Sequence, residues 1–166
     1  AVLHVTFGPS PAYLRLVETI FFIAFLVVFY VLLRRYIESR PALLALVFMA
    51  LPPASVFKLI RHTEYSLLAL VGTLALLLAL KIADAEKPDW RLYFGFGLTI
   101  GIGFYVIPQI IFFAISALLI IFLRRRLFFL KPEFWTVPAG FMLGAVPVFI
   151  DAWYSQGLSF KFLASS

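Results

Sequence analysis

Apolar residues in this chain fall in long unbroken runs, and polar residues are confined to the short stretches between them. The first run, RLVETIFFIAFLVVFYVLL over 15–33, stops at Arg34-Arg35. A second opens at about residue 42, just after Pro41, and extends toward residue 60, broken at Pro52-Pro53. A third, YSLLALVGTLALLLALKIA, covers 65–83 and gives way to the polar link DAEKPDW. The stretch 92–123 is apolar except where Pro108 interrupts it, and after RRRLFFLKPE a last run covers 135–150. Runs approaching the ~20 residues that cross a hydrocarbon core predict membrane helices, not soluble amphipathic ones.

The stretch 92–123 reads in two ways. As one helix its 32 residues would rise about 48 Å, too long for a core of ~30 Å without extreme tilt. Read as a hairpin, with helices over 92–107 and 109–123, each half is slightly short. Loop charge decides between them. With a hairpin, the loops 34–41, 81–91 and 124–133 share one side and hold ten of the chain's 14 Lys and Arg residues. A single helix would divide those loops between faces, against the tendency of basic loops to stay cytoplasmic. The expected fold is therefore all-α: a polytopic transmembrane helical bundle in one domain over 1–166. It has about six membrane segments (15–33, 42–60, 65–83, 92–107, 109–123 and 135–150), with both termini on the extracytoplasmic side.

Composition strengthens this picture. Of 166 residues, 64% are hydrophobic and 13% charged, where a soluble domain has roughly 25% charged. Mean hydropathy is +1.06. An integral, multi-pass protein of the cell or inner membrane is expected. The net charge of +6 is explained by cations at the ends of apolar runs, which set orientation, so no nucleic-acid partner is expected. Cysteine is absent, and His4 and His62 lie far apart, so no disulfide and no metal site is expected. Asparagine is absent too, which removes any N-glycosylation acceptor. Nothing in the sequence names a cofactor or an oligomeric state. The chain opens on Ala1 with no signal-peptide pattern before the first run, and it is expected to be a piece of a longer protein.

Against this background, LPPASVFKLIRHTEYS (51–66) stands out, because it gathers Lys58, Arg61, His62 and Glu64 between two apolar runs. Only about ten residues precede Pro52 in the second run, roughly 15 Å of helix and half the hydrocarbon thickness. Irregular backbone at that depth is tolerated where it is buried in protein or lines a watery cavity. Lys58 and Arg61, three apart, share a helical face, and a fork beside a point charge suits a lipid phosphate. His62 and Glu64 are supporting polar groups, and Tyr105 and Gln109, on either side of Pro108, are candidates to line the same cavity. The plain alternative is an interfacial loop whose cations snorkel to headgroups, with Tyr105 as an aromatic anchor. Gly95, Gly97, Gly101 and Gly103 do not form a dinucleotide fingerprint, but Gly97 and Gly101 are a small-xxx-small pair suited to close helix packing.

Several stretches together resemble the GT-C superfamily of membrane glycosyltransferases, the relatives of dolichyl-phosphate-mannose–protein mannosyltransferases. They are FGPSPAYLRLVETIFF, YVLLRRYIESRPALLALVFMALPP, RHTEYSLLALVGTLALLLALKIAD and, most closely, WRLYFGFGLTIGIGFYVIPQIIFFAISALLIIF. The likeness covers roughly 7–150, and each motif by itself is low in information; their order and spacing carry it. It implies transfer of a sugar from a polyprenyl-phosphate donor to an extracytoplasmic acceptor. Lys58 and Arg61 would then stabilise the departing lipid phosphate. In that superfamily the catalytic acid lies in the first extracytoplasmic loop, which would fall upstream of Ala1, so no catalytic residue is assigned and these residues alone are expected to be inactive. Ile150-Asp151 also departs from the aromatic-Asn step common in relatives. The alternatives are a transporter or flippase-like protein for an anionic substrate, and a non-catalytic membrane subunit. An upstream acidic loop would favour the enzyme, and an inverted repeat the transporter.

Overall fold

The computed structural model describes residues 11–51, 63–87 and 89–154. Every regular element among them is helical: α1 (Pro11–Leu33), α2 (Ser39–Ala50), α3 (Thr63–Asp84), α4 (Trp90–Val106), α5 (Ile110–Arg124), two 3-10 turns (Phe128–Leu130 and Pro132–Trp135), α6 (Thr136–Gly144) and α7 (Val146–Tyr154). Two compact units divide the chain at Thr73.

In the first unit, α1 is long and apolar enough to cross a bilayer; its window Leu16–Leu33 has a mean hydropathy of 2.7. Its buried side is the stripe Glu18, Phe22 and Phe25, while Leu16, Ile20, Ile23, Val27 and Val31 are exposed, as lipid-facing residues would be. The Phe25 ring stacks on Phe29 at 5.6 Å. The helix closes in a turn at Arg34-Arg35, and the Tyr30 hydroxyl lies 3.1 Å from the Ser39 hydroxyl, tying the end of α1 to the start of α2. Pro41 sits in the first turn of α2, where its missing N–H leaves no bond unmade. That helix, of 12 residues, ends at Ala50, with Leu51 as its C-cap ahead of Pro52-Pro53 in the sequence. Its rise of about 18 Å is well short of a bilayer core.

In the second unit, the later half of α3 packs with α4 and α5. Ala75, Ala79 and Ile82 meet Tyr93, Phe96 and Ile100, together with Ala114, Ala117, Ile121 and Phe128. Alanines on α3 and α5 keep the helices close, and the aromatic rings of α4 fill the middle. As a whole, α3 is the second helix able to span a membrane, with a mean hydropathy of 2.2 over Tyr65–Asp84. Asp89 caps α4 by accepting from the Arg91 backbone N–H at 3.4 Å. The helix ends at Val106 because Ile107 precedes Pro108, whose ring disfavours the helical conformation in the residue before it; Ile107 is extended, with φ −154° and ψ 125°. α5 begins at Ile110, so the apolar stretch divides at Pro108 into helices of 17 and 15 residues.

Glycines hold α4 against α6. A Cβ on Gly97 would lie 2.9 Å from the Val137 carbonyl carbon, and one on Gly101 would lie 3.0 Å from the Gly144 Cα. From the other side, a Cβ on Gly140 would meet the Leu98 nitrogen at 2.8 Å, and one on Gly144 would meet the Ile102 nitrogen at 2.8 Å. Two small-xxx-small pairs therefore face each other, and the two backbones touch along parallel helices. The stretch 135–150 is not one continuous helix. α6 ends at Gly144, Ala145 turns with φ −89° and ψ 0°, and α7 follows. Pro147 is the cause, since it has no N–H to donate to the Leu143 carbonyl and its ring crowds that carbonyl.

Candidate functional site

The second unit has two chemically different ends. At one, the last turns of α3 and α5 meet: Arg124 forms an ion pair with Asp84, and Arg125 donates through Nε to the Ala83 carbonyl at 3.2 Å. The Thr136 hydroxyl lies 2.7 Å from the Glu133 carbonyl and 3.1 Å from the Trp90 carbonyl, so its one proton serves the two between them and the start of α6 sits beside the start of α4. These bonds gather the links 84–91 and 124–136 together at a single end of the unit. Arg91 lies over the Trp90 ring at 5.7 Å, and Arg126 and Lys131 are exposed. Each of these cations comes from a polar link that ends an apolar run, which is why they cluster once the helices fold back antiparallel.

The opposite end carries Tyr105 and Gln109. Tyr105 is in the last turn of α4 and is exposed; Gln109 precedes α5, is exposed, and makes no side-chain hydrogen bond to cap it. Because α6 runs parallel to α4, α7 emerges toward this end as well, with Trp153 and Tyr154 almost fully exposed. Exposed aromatics at the end of an apolar helix are the usual anchors of a membrane interface.

Lys58, Arg61 and His62 lie outside the described residues, as does the side chain of Glu64, whose backbone begins the first turn of α3. Among the described residues no group of three or more His, Asp or Glu is arranged to hold a metal ion. Thr99 and Ser116 donate to the Gly95 and Phe112 carbonyls, at 2.7 and 2.8 Å, each back to its own helix. Those hydroxyls are used up in the way membrane helices commonly satisfy them, whereas the Tyr93 hydroxyl is buried in the core with no hydrogen-bond partner among the described residues.

Two features lay beyond the sequence reading. The glycine pair Gly140 and Gly144 faces Gly97 and Gly101, and its spacing of four was the available signal. An apolar groove of about 430 Å³ runs along α5 between Ile115, Leu118, Leu119 and Phe122 and the aromatic rings of Phe128, Phe129 and Phe134. No sequence pattern marked it, because its two walls meet only when the 3-10 turns fold back on α5.

No curated protein and no solved structure gives a significant match to this chain. The family model described as dolichyl-phosphate-mannose-protein mannosyltransferase does match, over residues 2–150, nearly the whole apolar part of the sequence. An all-α chain of apolar helices with cations at their ends, covered from residue 2 to residue 150 by that model, belongs to the dolichyl-phosphate-mannose-protein mannosyltransferase family.

Proposed function

We propose that these residues form membrane-embedded walls of a glycosyltransferase that moves a sugar from a polyprenyl-phosphate donor to an extracytoplasmic acceptor. The family match over residues 2–150 carries this reading. Within it, the segment 52–64 faces the extracytoplasmic side, and Lys58 and Arg61 hold the donor's phosphate. A departing lipid phosphate gains negative charge as the bond to the sugar breaks, and fixed cations beside it lower that barrier. His62 and Glu64 orient the two cations. Tyr105 and Gln109, at the turn between α4 and α5, are further polar candidates on the extracytoplasmic side.

The proposed topology has six membrane segments with both termini extracytoplasmic. Its support is that 84–91 and 124–136 meet at one end of the second unit, and that the links 81–91 and 124–133 carry seven cations. Such a cluster is retained on the cytoplasmic face. Tyr105 and Gln109 then lie toward the other face.

The test is donor binding by the membrane-reconstituted protein. A charge-assisted hydrogen bond is worth about 1.5–3 kcal/mol, so Arg61→Ala should weaken binding of a polyprenyl-phosphate sugar by roughly 10- to 150-fold. Arg61→Lys should recover only part of it, since the bidentate fork is lost. Unchanged affinity in Arg61→Ala would remove Arg61 from the phosphate site.

A further inference from the structure

The groove on α5 lies at the basic end of the second unit, opposite the end that carries Tyr105 and Gln109. Its lining is hydrocarbon and aromatic: Leu119 and Phe122 on one wall, Phe129 and Phe134 on the other. The aromatic wall is braced, with the Phe128 ring edge-on to Phe134 at 5.0 Å and to Phe129 at 5.9 Å. Ile115, Leu119 and Phe122 face outward, whereas Ala114, Ala117 and Ile121 on the same helix are buried, so the groove opens away from the protein core.

Two cations stand at its basic end. Arg124 is engaged by Asp84 and Arg125 by the Ala83 carbonyl, but Arg126 and Lys131 are exposed and have no ion-pair partner among the described residues. Glu133, the acid nearest them in sequence, has its Oε2 buried. Leu127, Leu130 and Trp135, interleaved with the cations, are exposed, which suits a segment lying in the headgroup layer.

A slot for a hydrocarbon chain, ending at two cations without an ion-pair partner among the described residues, suits a phospholipid with an anionic headgroup. We propose that this groove binds such a lipid from the leaflet on the basic side, one acyl chain lying between α5 and the 3-10 turns and the phosphate against Arg126 and Lys131. The proposal rests on the membrane reading above but not on the sugar-transfer reading. The lipid would staple the 3-10 turns to α5 and so steady the end of the bundle held by Asp84 and Arg124.

The experiment uses the full chain in vesicles, with Trp90→Phe and Trp153→Phe leaving Trp135, whose ring lies 6.2 Å from Phe134, as the reporter. Its fluorescence is quenched by acyl-brominated phosphatidylglycerol or by acyl-brominated phosphatidylcholine at equal mole fraction. Phosphatidylglycerol should bind about fivefold or more tightly. The preference should vanish in Arg126→Gln combined with Lys131→Gln and survive in Arg126→Lys. It should also fall when Ile115→Phe and Leu119→Phe fill the groove. Equal quenching by the two lipids would overturn the proposal, as would a preference untouched by filling the groove, which would mean simple surface attraction. Quenching by neither lipid would overturn the proposal, since no acyl chain then lies beside Trp135, while donor binding remains a separate measurement.

Discussion

Gly101 on α4 and Gly144 on α6 lie backbone to backbone, with the Gly144 Cα only 3.0 Å from where a side chain on Gly101 would begin. No other residue fits at either position without forcing the helices apart, because the obstruction is main chain and cannot change rotamer. Gly101→Ala should therefore destabilise the second unit by about 2–3 kcal/mol, the upper range for overpacking. Gly95 supplies the contrast within the same helix, since a Cβ there meets nothing within 4 Å. Gly95→Ala should be neutral or stabilise by about 0.5–1 kcal/mol, the ordinary gain of removing a helical glycine. Reversible unfolding in mixed micelles, comparing the two variants, checks both signs.

The Asp84–Arg124 pair links two helix ends but is partly exposed, 32% for Asp84 and 46% for Arg124. Screening by water keeps such pairs weak. A double-mutant cycle with Asp84→Asn and Arg124→Gln should give a coupling of about 1 kcal/mol or less. The coupling should fall further as salt rises to ~1 M, where charges more than ~3 Å apart are screened. A larger, salt-insensitive value would mean the pair is buried in the assembled membrane protein.

A chain with no cysteine allows clean topology mapping, since any single cysteine introduced is the only thiol. Glu86→Cys and Lys131→Cys should react with an impermeant maleimide from the same, cytoplasmic side of sealed vesicles, and Gln109→Cys from the opposite side. Labelling of Glu86→Cys and Lys131→Cys from opposite sides would replace the hairpin of α4 and α5 with a single crossing and withdraw the six-segment topology.

Much of the helix pattern was legible in the sequence because its signals are local. Pro108 fixes the conformation of Ile107 whatever surrounds it, so the division of 92–123 into α4 and α5 is written in two residues. The same rule was available at Pro147, yet 135–150 reads as one run by hydropathy alone. Hydropathy counts side chains and is blind to a missing N–H, and the structure divides the run at Ala145. For the candidate site, Tyr105 and Gln109 are exposed on either side of Pro108, and their place in a donor cavity remains a proposal. Lys58, Arg61 and His62 rest on residue chemistry and on the family match.

By itself, the sequence determined that the regular elements among the described residues are helical and that cations flank the apolar runs, because apolar run length, proline geometry and capping act over a few neighbouring residues. Which helices touch was decided in three dimensions. Gly97 and Gly101 announce a close contact but not its partner; that Gly140 and Gly144 supply it, some forty residues on, depends on the path of the chain through α5 and the 3-10 turns. The groove is likewise a product of that path. Its walls are ordinary apolar residues, and they became a slot beside Arg126 and Lys131 only when Phe128 and Phe134 folded back and left α5 uncovered along one side.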